Sequence, residues 1–170
     1  MDIIKLKQIL NTHSQPYILM LVGPPLSGKD SLLKKINLDD VTIISRDDIL
    51  MSLHDTNDYS EAFNQVDQKL VDKLLAQKIQ DCITEKKDVI INMTNLSKKG
   101  RNRHLSKFPN NDYEKIAVVF PKLDIDEYIN RNLKRKKENN KFIPVNVIQS
   151  MIENWQETTS DEGFDQIIKL

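Results

Sequence analysis

The run Tyr17-Ile18-Leu19-Met20-Leu21-Val22 passes directly into Gly23-Pro24-Pro25-Leu26-Ser27-Gly28-Lys29-Asp30-Ser31. An apolar run without polar alternation describes a strand covered on both faces. The residues after it fit the phosphate-loop spacing G-x-x-x-x-G-K at every fixed position, except for the Ser or Thr that normally follows the lysine. In such a junction the strand stops and the backbone N–H groups turn inward. A helix then starts with its positive dipole end facing the same hollow. That hollow suits a triphosphate. Gly23, Ser27 and Gly28 shape it, and the Lys29 ammonium reaches the outer phosphates. Asp30 stands where a hydroxyl normally holds Mg²⁺, and Ser31 keeps a hydroxyl beside it.

Outward from this junction, further apolar runs predict strands at 41–45, 88–93, 115–120 and, more weakly, 164–168. Helical patterns separate them, at 2–10, 30–36, 47–53, 60–85, 98–107, 124–137 and 145–156. The longest pattern is stepped by Phe63, Val66, Leu70, Leu74 and Cys82. Strands alternating with helical crossovers predict a three-layer α/β fold with a five-stranded parallel sheet. Ligands of such a sheet bind at the carboxyl ends of its strands. Residues 1–170 read as one domain. A helical lid is expected at about 128–144, where a basic helix runs into the loop-like Glu138-Asn139-Asn140-Lys141-Phe142-Ile143-Pro144.

The chain has 25 basic and 25 acidic residues, so the net charge is zero. The cations are nevertheless clustered. Lys98, Lys99, Arg101, Arg103 and Lys107 form one run, and Arg131, Lys134, Arg135, Lys136, Lys137 and Lys141 form another. Each run is either a solvated helix face or a surface for an anionic ligand. The first is a plausible track for a nucleic-acid backbone, although few aromatics are available for base stacking. No apolar run is long enough to span a membrane and no signal segment opens the chain. The single cysteine, Cys82, fits a reducing cytoplasm and reads as core filler beside Ile79 and Ile83.

Three polar clusters follow predicted strands or occupy the lid. Ser45-Arg46-Asp47-Asp48 combines a helix cap, Ser45 with Asp48, and a carboxylate, Asp47, at the end of a strand beside the phosphate loop. Asp47 can orient a hydroxyl for attack on the γ-phosphorus. In a loose phosphoryl-transfer transition state, positioning outweighs basicity. In Asn92-Met93-Thr94-Asn95-Leu96-Ser97, Asn95 is either a helix cap or a ligand-facing amide, and Ser97 is a second capping candidate. Arg131 and Arg135, four apart, share one helix face and can clamp a polyphosphate. His13, His54 and His104 are scattered without ligand spacing, so zinc and nucleophilic-histidine chemistry are not expected.

Taken in order, these features resemble the 5′-hydroxyl kinase domain of bacteriophage polynucleotide kinases, a branch of the P-loop kinases. The likeness rests on the loop at 23–31, Arg46-Asp47-Asp48, Thr94-Asn95-Leu96, Arg131-Asn132-x-Lys134-Arg135, and Ile143-Pro144-Val145 through Ser150-Met151. The resemblance implies ATP and Mg²⁺ as cofactors and a DNA or RNA with a 5′-hydroxyl end as partner, in the cytoplasm of the cell or of a phage host. It implies that Asp47 engages the acceptor hydroxyl, that Arg46 and Asn95 join the substrate site, and that Lys29, Arg131 and Arg135 grip the ATP phosphates. The family's separate phosphatase domain is not expected here.

Three positions depart from the family pattern. Asp30 replaces the hydroxyl residue, Asn92 stands where relatives commonly have an acid, and Leu50 replaces an arginine that contacts a substrate phosphate. The first two are expected to compensate each other, with Asp30 and Ser31 holding the metal. Two alternatives share the scaffold: a small-molecule kinase acting on a nucleoside, nucleotide or sugar, and a non-catalytic ATP-binding module.

Overall fold

Strand β1, Tyr17–Val22, has a parallel neighbour on each side and is buried along its whole length, its two faces lying in separate core clusters. Leu19 aligns with Ile90 of β3 (Val89–Ile91) and with Ile116 of β4 (Glu114–Val119). Strand β2 (Thr42–Ile44) extends the sheet beyond β3, and β5 (Gln166–Lys169) extends it beyond β4. The order is β2-β3-β1-β4-β5, all parallel. The computed structural model describes residues 3–12, 14–36, 40–139 and 141–170. His13, one of the scattered histidines, lies outside them.

The pleat of β1 divides the core. Ile18, Met20 and Val22 face one cluster, while Tyr17, Leu19 and Leu21 face the other. The second cluster is closed by α1 (Ile3–Asn11) and α2 (Lys29–Ile36) through Leu6, Leu10, Leu32 and Ile36. The first is closed by α3 (Arg46–Ser52), α4 (Tyr59–Gln65), α5 (Gln68–Thr84) and α6 (Lys98–Leu105). Helices α7 (Ile125–Asn139) and α8 (Val145–Glu153) follow β4 and pack on each other. Asn132, buried on α7, exchanges two hydrogen bonds with the backbone of Ile143, which ties the segment before α8 to α7. The chain leaves β1 toward one edge of the sheet and β3 toward the other. A ligand crevice is therefore expected above the carboxyl end of β1.

Several sequence expectations change in detail. The single helix expected at 60–85 is two helices. Asp67 interrupts it by capping α5, accepting from Lys69 N–H at 2.9 Å, just as Asp58 caps α4. The buried stripe of α5 is also shifted by one residue from the one expected through Leu70 and Leu74. Val71, Leu75, Ile79 and Cys82 are buried, whereas Phe63, Leu70 and Leu74 are exposed. Helix α8 stops at Glu153, short of the expected 156. Strand β5 begins two residues late because Phe164 enters the core and the Asp165 carboxylate accepts from Lys115 N–H. Cys82 is core filler as expected.

Candidate active site

Two glycines shape the loop between β1 and α2. Gly28 has φ of +106°, a region in which a side chain is strained. A Cβ on Gly23 would sit 2.8 Å from Ser27 Oγ and 3.0 Å from Phe120 Cβ, so only glycine fits. Ser27 is buried, and Gly23 N–H donates to Thr94 O at 3.0 Å, joining the loop to the end of β3. At the tip Leu26 takes φ of +68°, and its carbonyl accepts from Arg131 Nη1 at 3.0 Å. Lys29, the first residue of α2, folds its ammonium over the loop. Nζ donates to the carbonyls of Gly23 and Pro24, each at 2.7 Å. Burial pushes Lys29 down to about 8. The negative charges of Asp30 and Asp47 resist that shift, and Arg135 adds to it.

The loop forms one wall of a cavity of about 780 Å³ at the carboxyl ends of the strands. Arg131, Arg135 and Lys141 line it from the α7 side, and Asp47 and Asp48 line it from α3. The two arginines therefore share the face that their spacing predicted. Arg131 is steadied by an i,i+4 contact, Nε to Glu127 at 2.6 Å. Asp47 lies within electrostatic reach of Lys29, and its Oδ1 accepts from Tyr59 Oη at 3.0 Å. Burial first, then the Asp47 charge and this hydrogen bond, push Tyr59 up to about 12. Tyr59 is thus a fixed donor that positions Asp47. It lies twelve residues away on another helix, and no local spacing signals it.

The two departures at Asp30 and Asn92 are in direct contact. Asn92 Nδ2 donates to Asp30 Oδ1 at 3.2 Å. Both residues, with Ser31, line the cavity. A carboxylate, a hydroxyl and the phosphates of a bound nucleotide are the oxygen donors that Mg²⁺ takes, water filling the rest. Among the described residues there is no cluster of three or more His, Cys, Asp or Glu able to hold a metal by itself. Asp30 and Ser31 are the residues whose oxygens fit a metal brought with a nucleotide.

Other expectations are corrected. Arg46 leaves the cavity: its Nε donates to Asp72 at 3.1 Å and its Nη2 to Gln68 at 2.8 Å, both on α5. Asn95 is buried, with φ of +50°, and its amide donates inward to Leu21 O at 2.7 Å. It pins β1 to the turn after β3, and it does not face a ligand. The helix caps are Ser45 and Ser97, which accept from Asp48 N–H and Gly100 N–H. Arg101 drops out of the basic surface at 97–107. It is fully buried and forked onto Glu162 at 2.7 and 2.8 Å. Leu50 is core. Phe120, packed against the loop glycines, was not legible as part of the site.

The family model of the AAA domain matches residues 18–158, which covers β1 through the segment after α8. The chain belongs to this family. Among curated proteins none matches the sequence. Similar solved structures include a chain of the Pnkp1/Rnl/Hen1 RNA repair complex, at 25% identity and a TM-score of 0.65. That match covers 85% of this chain and 45% of the other, so this chain spans less than half of that relative's length. Kti12 of Chaetomium thermophilum, in complex with ADP-AlF3, is 13% identical with a TM-score of 0.59, covering 90% and 88% of the two chains. A chain of the PezAT toxin–antitoxin system of Streptococcus pneumoniae is 15% identical with a TM-score of 0.64, covering 98% and 73%. The last two show the fold alone. This member of the AAA domain family has a P-loop kinase-like α/β architecture. Among its described residues no helix is long and apolar enough to cross a membrane.

Proposed function

We propose that the chain transfers the γ-phosphoryl group of ATP to the 5′-hydroxyl end of DNA or RNA. The observation that carries this reading is the composition of one cavity. The phosphate-loop residues Ser27, Gly28 and Lys29 form one wall, Arg131 and Arg135 line another, and the Tyr59-held carboxylate of Asp47 lines the α3 side. Cations on the phosphates and a carboxylate on the acceptor side are what an in-line transfer needs. Mg²⁺ bound with ATP would neutralise charge on the phosphates, and Asp30 and Ser31 are the residues to hold it. Asn92 would orient the Asp30 carboxylate. Asp47 accepts a hydrogen bond from the acceptor hydroxyl and aims its oxygen. The α7 arginines meet the charge that develops on the transferring group. Support for a polynucleotide acceptor comes from the similarity, at 25% identity, to a chain of the Pnkp1/Rnl/Hen1 RNA repair complex.

A second reading, a kinase for a nucleoside, nucleotide or sugar, is favoured by a specific observation. Arg46, Asn95 and Arg101, expected on the substrate side, are all engaged by the protein's own groups. Labelled ATP offered with 5′-hydroxyl oligonucleotides of DNA and RNA, and in parallel with free nucleosides, separates the two. Preferential labelling of oligonucleotide ends supports the first reading, and labelling of nucleosides alone supports the second.

A further inference from the structure

Helix α4 has seven residues, of which only Ala62 is fully buried, while Tyr59 packs partly against the core. A helix of this length has little stability of its own. Its two ends are tied by side chains. At the start, Tyr59 Oη donates to Asp47 Oδ1 at 3.0 Å. At the other end, Gln68 Nε2 donates to the carbonyls of Phe63 and Val66 at 2.9 and 3.1 Å, terminal groups that a helix cannot satisfy itself. Gln68 opens α5, and its Oε1 accepts from Arg46 Nη2 at 2.8 Å. Arg46 Nε reaches Asp72, one turn further along α5, at 3.1 Å. Arg46 precedes Asp47 at the start of α3. The contacts thus close a circuit that runs from Asp47 through Tyr59, the α4 backbone, Gln68 and Arg46 back to Asp47. Asp47 lines the phosphate cavity, whereas Arg46, Tyr59, Gln68 and Asp72 do not.

We propose that Gln68 is a remote positioning residue for phosphoryl transfer, an assignment that rests on the role given to Asp47 above. Both ends of its amide are committed. Oε1 takes the Arg46 guanidinium and Nε2 takes the end of α4, so one side chain sets the spacing between α3 and α4. That spacing aims the Tyr59 hydroxyl at Asp47 Oδ1 and keeps the carboxylate turned to the cavity. Each tie is partly solvated and contributes little to stability alone. Its consequence for rate is larger, because a misplacement of about 1 Å at a reacting group costs on the order of 10²-fold. The circuit acts only through Asp47, so its removal should slow transfer and leave ATP binding, on the other side of the cavity, as it was.

The test measures transfer of labelled γ-phosphate from ATP to 5′-hydroxyl oligonucleotides and to free nucleosides, using whichever acceptor the wild type labels, with ATP binding followed by calorimetry. Gln68→Ala should lower kcat about ten- to hundredfold and leave ATP affinity unchanged. Gln68→Glu keeps an acceptor for Arg46 but turns a carboxylate oxygen on the two α4 carbonyls, so it should lose as much. Tyr59→Phe removes only the hydroxyl at the far end of the circuit, and combining it with either Gln68 variant should add nothing. In an Asp47→Ala background, Gln68→Ala should leave the residual turnover unchanged. A wild-type kcat in Gln68→Ala or Gln68→Glu overturns the positioning role alone, as does an equal loss with and without Asp47. If Gln68→Ala does not fold, Gln68→Glu and Tyr59→Phe decide, and additive losses from those two overturn the role. A wild type that labels no hydroxyl acceptor overturns the phosphotransfer reading, and the positioning role with it.

Discussion

Lys29 is held at about 8 chiefly by burial, so its charge changes just above neutral pH. A triphosphate favours the ammonium, so the protonated lysine is the form that binds. ATP affinity should be level below pH 8 and fall up to tenfold per pH unit above it, until the raised value of the bound state is reached. Calorimetric titrations from pH 6.5 to 9.5 check this. Lys29→Arg should bind more weakly but with a flat profile, because a guanidinium stays charged throughout. The Asp30–Asn92 contact gives a second prediction. A carboxylate beside phosphates is repelled by several kcal/mol unless a cation lies between them. Asp30→Ser should therefore lower the Mg²⁺ dependence of ATP binding, and adding Asn92→Asp should restore it by returning the acid to the other side of the contact. A double variant no better than Asp30→Ser would show that the two positions do not exchange this role.

Helix α7 is the element that completes the site. Arg131 and Arg135 present one face of α7 to the cavity, and Arg131 also holds the loop carbonyl at Leu26. An arginine acting on transition-state charge contributes on the order of 10³–10⁵ in rate. Arg135→Ala should lose turnover on that scale with a much smaller change in ATP affinity, and near-normal turnover would remove Arg135 from the chemistry. The 156–162 segment is anchored by Arg101, which reaches Glu162 and the carbonyls of Gln156 and Glu157. Burial tends to raise the Glu162 carboxyl. The Arg101 hydrogen bonds, the Thr159 N–H and the Arg101 charge outweigh it and hold the carboxyl below its usual range. The stability it contributes is therefore fully present above about pH 4.3 and is lost as pH falls through the lowered value. Glu162→Gln leaves a buried guanidinium without its counter-charge and should cost about 3–5 kcal/mol in urea denaturation at pH 7. A loss below about 1 kcal/mol would show that the carbonyls alone suffice.

At the scale of the whole molecule, what the sequence revealed follows the reach of each interaction. The junction at 17–31 was legible because strand, loop and helix lie next to each other in the chain, and the Arg131–Arg135 pair because helical spacing is local. In α5 the expected stripe holds at Cys82 but lies one residue off at Leu70 and Leu74. The doublets Leu70-Val71 and Leu74-Leu75 offer two apolar stripes, and only packing against the sheet selects Val71 and Leu75. Arg46 and Asn95 had the right position at strand ends, but their side chains were captured by α5 and by the β1 carbonyl. Arg101 and Glu162 are 61 residues apart, and nothing local to either predicts the pair. The parallel sheet gathers the ends of β1, β2 and β3 around one cavity and sets Asp47 opposite the loop. The most direct measurement is transfer of labelled γ-phosphate from ATP to a 5′-hydroxyl oligonucleotide, with ATP binding followed in parallel, for the wild type and Asp47→Ala. The account predicts labelled ends with the wild type and, in Asp47→Ala, a loss of labelling of at least about a hundredfold with ATP binding retained. Wild-type labelling in Asp47→Ala, or no labelling of any hydroxyl acceptor by a wild type that binds ATP, would contradict it.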